Sequence, residues 1–173
     1  YDYLANVGKV TFPKEVIHAA KRSILNTVGV MLAGSRQEKF QSIVKYAEES
    51  SSKCTIAGVA HGFAPATAAL FNGFAAHNLD LDDCSCCVNT HPTAVYFPAL
   101  MAMGEYMNAS GESILRAYIG GTVVGTYLGE FCAKPVHKAG WHAPGVLMTP
   151  LAALSCGLLL NLNREQFRNL FGT

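Results

Sequence analysis

Charge is what this chain lacks most. Only 14% of its 173 residues are Asp, Glu, Lys or Arg, and 13 basic against 12 acidic residues leave a net charge of +1. With no basic run or stripe among them, nucleic acid and anionic membrane surfaces are excluded as electrostatic partners. Paired cysteine spacing is missing too. Three of the six cysteines, Cys84, Cys86 and Cys87, fall within four residues, and Cys54, Cys132 and Cys156 lie scattered. That is poor geometry for a set of separate disulfides and favours a reducing compartment. No charged start, apolar run and small-residue cleavage site follows Tyr1, so no secretory signal is visible, and one removed ahead of Tyr1 would leave no trace. Residues 143–160 form an uncharged run of 18, about the minimum for a membrane-spanning helix. Its two prolines, two glycines and missing Lys/Arg flanks mark it instead as a buried core helix. No linker, low-complexity tract or internal repeat divides the chain, and one domain over 1–173 is expected.

What the chain has is apolar residues, 50% of the total, recurring at helical spacing. After Pro13 come Val16, Ile17, Ala20, Ile24, Val28 and Met31, with Gly34 as a stop, which predicts a first helix of about twenty residues. A shorter amphipathic piece carries Phe40, Ile43, Val44 and Ala47 and closes on Glu48, Glu49 and a serine run. Residues 54–59 read as a short β-like connector, and an alanine-rich helix follows over 66–77. Further helices are predicted from Pro92 through Met107, from about Glu112 to Cys132, and from Pro144. A last one is announced by Asn163 with Gln166 three residues on, a capping-box pattern. Gly121, Gly125 and Gly129, one every fourth position, let another helix approach closely. The pattern predicts an all-α fold, a dense helical bundle.

The scarce acids and imidazoles gather in one place. His77, Asp80, Asp82, Asp83 and His91 fall within fifteen residues, and such a concentration in an apolar chain points to a site. If the helix of His77 runs on, Asp80 and Asp83 share its face and Asp82 points elsewhere. His91 precedes Pro92 and His142 precedes Pro144, so two imidazoles stand at two helix N-termini, ends that attract anions. Converging, they suit a substrate bearing carboxylates, with Asp80 a candidate base for a carbon-bound proton. Plainer roles stay open. Asp82 or Asp83 would serve as a helix or turn cap, His77 as a hydrogen-bonded core histidine, and His18, His61 and His137 as surface or loop residues. Cys84, Cys86 and Cys87 with His77 or His91 offer zinc ligands, but CxCC lacks the paired spacing of structural zinc sites.

The sequence also resembles the N-terminal part of the MmgE/PrpD family. The resemblance is carried by AKRSILNTVGVMLAGS at 20–35, AALFNGFAAHNLDLDD at 68–83, HP at 91–92, ASGESILRAYIGG at 109–121 and GWH at 140–142, in that order. It implies the family's large helical domain, incomplete at its C-terminal end, with the rest of that domain and a smaller α+β domain absent. It further implies a dehydratase or decarboxylase, without metal or other cofactor, acting on a small di- or tricarboxylate such as a citrate or aconitate derivative. The residues so placed are Asp80, His91 and His142 as catalytic; His77, Asp83 and Cys84 are candidates to bind the substrate, and no metal ligand is expected. Departures are equally visible. Cys84 stands where the family has threonine, the CSCCVNT stretch alters the path to His91, and Val123 and Tyr127 stand where Glu and Arg are expected. The family's substrate-binding lysines would lie beyond Thr173, so a second chain or a missing C-terminal segment is expected to complete the site, in a homo- or hetero-oligomer. An intracellular location, cytoplasmic or mitochondrial, is expected, with no nucleic acid or membrane partner. A non-catalytic binding or assembly subunit and a metal-dependent hydrolase remain as alternatives.

Overall fold

The computed structural model describes residues 6–86 and 90–172. Among these residues the chain forms a short 3-10 turn (Val7–Lys9) and seven α-helices: α1 (Lys14–Gly34), α2 (Glu38–Val44), α3 (Pro65–His77), α4 (Pro92–Met107), α5 (Gly111–Lys138), α6 (Thr149–Leu159) and α7 (Arg164–Gly172). One strand, β1 (Glu49–Cys54), lies between α2 and α3. The expected all-α class therefore holds. α4 is the centre, packed against α3, α5, α6 and α1. Its buried residues, among them Thr93, Ala94, Tyr96, Phe97, Leu100 and Ala102, run round the helix rather than along one stripe, as a helix enclosed by neighbours requires. On one side of it Met31, Phe40, Phe63 and Phe71 form a core cluster, and on the other Tyr96, Phe97, Leu100, Tyr118 and Leu159 form a second.

The glycine stripe works as expected. A Cβ at Gly121 would strike Ser155 Oγ, and one at Gly125 would come within 2.7 Å of Leu151 Cδ1. α5 and α6 thus meet with glycine backbone against side chain. Asn163 and Gln166 also form the expected reciprocal cap: each backbone N–H donates to the other's side-chain oxygen, at 2.8 and 3.0 Å.

Three boundaries differ from expectation. The strand covers 49–54, the serine run, and not 54–59. Thr55 and Ala57 instead spend their backbone groups on side chains: Glu105 accepts the Thr55 N–H at 2.8 Å, Asn72 accepts that of Ala57 at 2.8 Å, and Asn72 donates to the Thr55 carbonyl at 2.8 Å. With those groups satisfied, the connector needs no strand partner. α5 continues past Cys132 to Lys138, through Pro135, which places His137 on its last turn instead of in a loop. The helix expected from Pro144 begins as a wide π turn, Pro144–Met148, and becomes α-helical at Thr149. Pro150 has no N–H for the bond an uninterrupted α-helix would make to Val146. No helix among the described residues is long and apolar enough to cross a membrane. The five described cysteines are all free, and Cys87 lies outside the described residues.

Candidate functional site

α3 carries His77 on its last turn and stops there. Asn78 Nδ2 ties this end to the Gly34 carbonyl at 3.1 Å, across a contact so close that a Cβ on Gly34 would collide with the Ala75 carbonyl. Asp80 donates its N–H back to the His77 carbonyl at 3.2 Å and takes φ 54°, the left-handed region that Asp tolerates better than most residues. The chain doubles back at this point. The expected continuation of the helix, with Asp80 and Asp83 on one face and Asp82 turned away, is thus corrected: the reversal swings Asp82 inward.

Asp82 has no exposed side-chain surface and lies between two imidazoles. Both of its carboxylate oxygens lie 3.1 Å from His77 Nδ1, and Oδ1 lies 3.5 Å from His91 Nδ1. His91 Nε2 faces Asp80 Oδ1 at 3.6 Å, and the two histidine rings are 4.9 Å apart between centroids. A buried carboxylate needs donors or positive charge beside it; here His77 Nδ1 supplies the hydrogen bond, while His91 Nδ1, buried 3.5 Å away, makes none. Asp80 itself is largely exposed, at 77%.

Asp83 faces another way. It accepts the Thr93 N–H at 3.2 Å and the Thr93 hydroxyl, which in turn lies 2.8 Å from the Tyr118 hydroxyl. It therefore satisfies an orphan donor in the first turn of α4. Burial pushes its carboxyl above the ordinary value of 3.8, against the pull of the Thr93 hydrogen bonds.

A cavity of about 660 Å³ opens beside the two histidines, lined among others by Lys39, Phe74, His77, His91, Val95 and His142. His77, His91 and His142 thus line one cavity. Asp80 stands beside His91, Cys84 is exposed outside this cavity, and Asp83 is engaged elsewhere. Among the described lining residues Lys39 alone carries a fixed positive charge.

A family model described as the MmgE/PrpD N-terminal domain matches residues 1–173. The chain belongs to the MmgE/PrpD family. It is 32% identical over 162 residues to a cis-aconitate decarboxylase of Mus musculus, covering 88% of this chain and 33% of that protein. To a cis-aconitate decarboxylase of Homo sapiens it is 32% identical over 171 residues, covering 94% and 35%. A cis-aconitate decarboxylase-like protein of Aspergillus oryzae is 26% identical over 170 residues, covering 92% and 35%. The chain spans about a third of the length of these curated relatives.

Two residues of this candidate site escape a reading of the sequence. Asp82 looks like a turn residue until Asp80 adopts a positive φ, and Lys39 sits near the start of a short helix with no motif around it. Chemically, the His77 tautomer with hydrogen on Nδ1 directs that proton at Asp82 and leaves Nε2 of that ring to take up or deliver another. The same cluster has a second capacity. His77, Asp80, Asp82 and His91 each offer a ligand atom, all within 4.8 Å of one another, a set suited to a divalent cation. Cys84 and Cys86 are not part of it.

Proposed function

We propose that this chain forms the acid/base part of a cofactor-independent lyase acting on a small di- or tricarboxylate of the aconitate or citrate type. The observation that carries the reading is the setting of His91: backed by the buried Asp82 at 3.5 Å, flanked by Asp80 at 3.6 Å, and opening with His142 and Lys39 onto one cavity. The names of the relatives support a decarboxylase. In that reaction the bond to the departing carboxylate breaks, carbon dioxide leaves, and His91 or His142 delivers a proton to the carbon that keeps the electron pair. In a dehydratase, Asp80 or an imidazole takes a carbon-bound proton while a second group protonates the hydroxyl that leaves as water. Lys39 meets a substrate carboxylate in either case. A polycarboxylate carries more negative charge than one lysine balances, so the remaining cations come from a further segment or a second subunit. The test is to offer cis-aconitate, citrate and 2-methylcitrate to the protein and follow released carbon dioxide and new unsaturation. Silence on all three, with every chain of the assembly present, would leave the binding or assembly reading.

The four-ligand cluster favours one rival, a metal-dependent hydrolase built on His77, Asp80, Asp82 and His91. Elemental analysis separates the two. The lyase reading expects no stoichiometric metal and full turnover after chelation; bound zinc at one equivalent and loss of turnover on chelation would reverse the choice.

A further inference from the structure

The cavity beside His91 is roomier and more apolar than its polar groups require. Even at water's share of about 30 Å³ per heavy atom, the roughly twelve heavy atoms of aconitate take about 360 Å³, while the cavity holds about 660 Å³. The surplus runs along α3. Phe74, Gly73, Leu70 and Ala69 stand three, four, seven and eight residues before His77, on one face of that helix, and all five line the cavity. Seven residues of helix span about 10 Å, so an apolar strip two turns long starts at the imidazole. Val95 of α4 borders the same space. Leu70 is 68% exposed and Phe74 39%, so the strip presents apolar surface to whatever fills the cavity.

The strip is kept wide at a cost. Gly73 lies inside α3, where glycine is a poor helix former, and close packing does not explain it. A Cβ there would meet the Ala94 carbonyl oxygen at 3.5 Å, an ordinary contact, whereas one at Gly34, Gly121 or Gly125 would collide. A Cβ at Gly145 would likewise lie 3.7 Å from its nearest neighbour, His142 Nδ1. At both places the absent side chain leaves cavity. We propose that the strip of Ala69, Leu70, Gly73 and Phe74 is a subsite for an unbranched alkyl arm of several carbons carried by the substrate. What fills it is joined to the reacting group, because the strip begins one helical turn from His77 in the cavity that His91 and His142 also line. This deepens the lyase reading and rests on it for the carboxylate end of the substrate; the arm selects alkylated substrates over bare ones.

The probes are succinate, butylsuccinate and hexylsuccinate, which have neither a double bond nor a leaving hydroxyl, and binding is measured by calorimetry on the protein with its full complement of chains. Full burial of a methylene raises affinity about fourfold, and a strip covered on one side should give about twofold per carbon. Hexylsuccinate should therefore bind about fourfold tighter than butylsuccinate and about fiftyfold or more tighter than succinate. Leu70→Asn changes a largely exposed position and should cut the hexyl-to-succinate ratio about fivefold. Gly73→Leu, a better helix former that fills the strip, should cut it about tenfold. Equal or weaker binding of the longer probes, no binding of hexylsuccinate, or the wild-type ratio in both variants overturns the subsite. The lyase reading fails separately. A chain-length gain that depends on Leu70, without turnover of cis-aconitate, citrate or 2-methylcitrate, supports the subsite and removes the lyase. Turnover of one of them with no gain along the series removes the subsite and keeps the lyase.

Discussion

Asp82 decides how the two histidines behave. Its carboxylate is buried and touches His77 through both oxygens at 3.1 Å, while His91 stands 3.5 Å away. Replacing it by Asn keeps the shape but removes the charge that fixes the tautomer and steadies an imidazolium. Asp82→Asn is therefore expected to lower turnover at least about a hundredfold and to leave the helical circular dichroism unchanged. A purely structural Asp82 would shift stability and leave the turnover of the folded protein in place. Asp83 makes the opposite kind of prediction. Burial raises its carboxyl above 3.8, so the folded state holds the proton more tightly than the unfolded chain does. Its contribution to stability is present below about pH 4 and is lost as pH rises through the raised value. Asp83→Asn, which still accepts from Thr93, should flatten that decline. Urea midpoints of the two proteins measured upward from about pH 4 would run parallel if the assignment were wrong. The acids and imidazoles were legible as a cluster because they are scarce. Their roles were not, because the left-handed backbone at Asp80 decides which acid turns inward.

At the scale of elements, the apolar period located the helices and the glycine stripe located the contact between α5 and α6. Leu151 Cδ1 comes within 2.7 Å of where a Cβ on Gly125 would stand. Gly125→Leu is expected to cost about 3 kcal/mol or more, seen as a fall in the urea midpoint or as failure to fold. A midpoint within error of the wild type would mean that the two helices do not meet there. What the period could not show is where backbone groups of a connector find partners. Residues 54–59 have β-like side chains, but Glu105 and Asn72, some fifty and fifteen residues away in sequence, bind Thr55 and Ala57 and remove the need for a strand. Contacts between distant parts of the chain settle such segments. The extension of α5 through Pro135 is a similar case, and it places His137 on the last turn of that helix.

On the scale of the molecule, the chain packs its own core around α4 and spans about a third of the length of its curated relatives. Large apolar side chains stay exposed, with Tyr127, Phe131 and Trp141 all above 60%, and the rings of Tyr127 and Phe131 lie 5.2 Å apart, tilted by 60°. We propose that a further segment or subunit covers them and supplies the charge that Lys39 alone does not. The family order of words was readable along the sequence; the cavity was not, since Lys39, His77, His91 and His142 come to one lining only in the folded chain. The central claim is that a carboxylate substrate reacts by proton transfer in this cavity. It is tested most directly by following consumption of cis-aconitate, citrate and 2-methylcitrate by nuclear magnetic resonance, with wild type and His142→Ala side by side. The account predicts that the wild type consumes at least one of them and that the variant, with the same melting temperature, is slower by at least about a hundredfold. Equal rates in the two proteins, or no consumption of any of the three by the wild type, would contradict it.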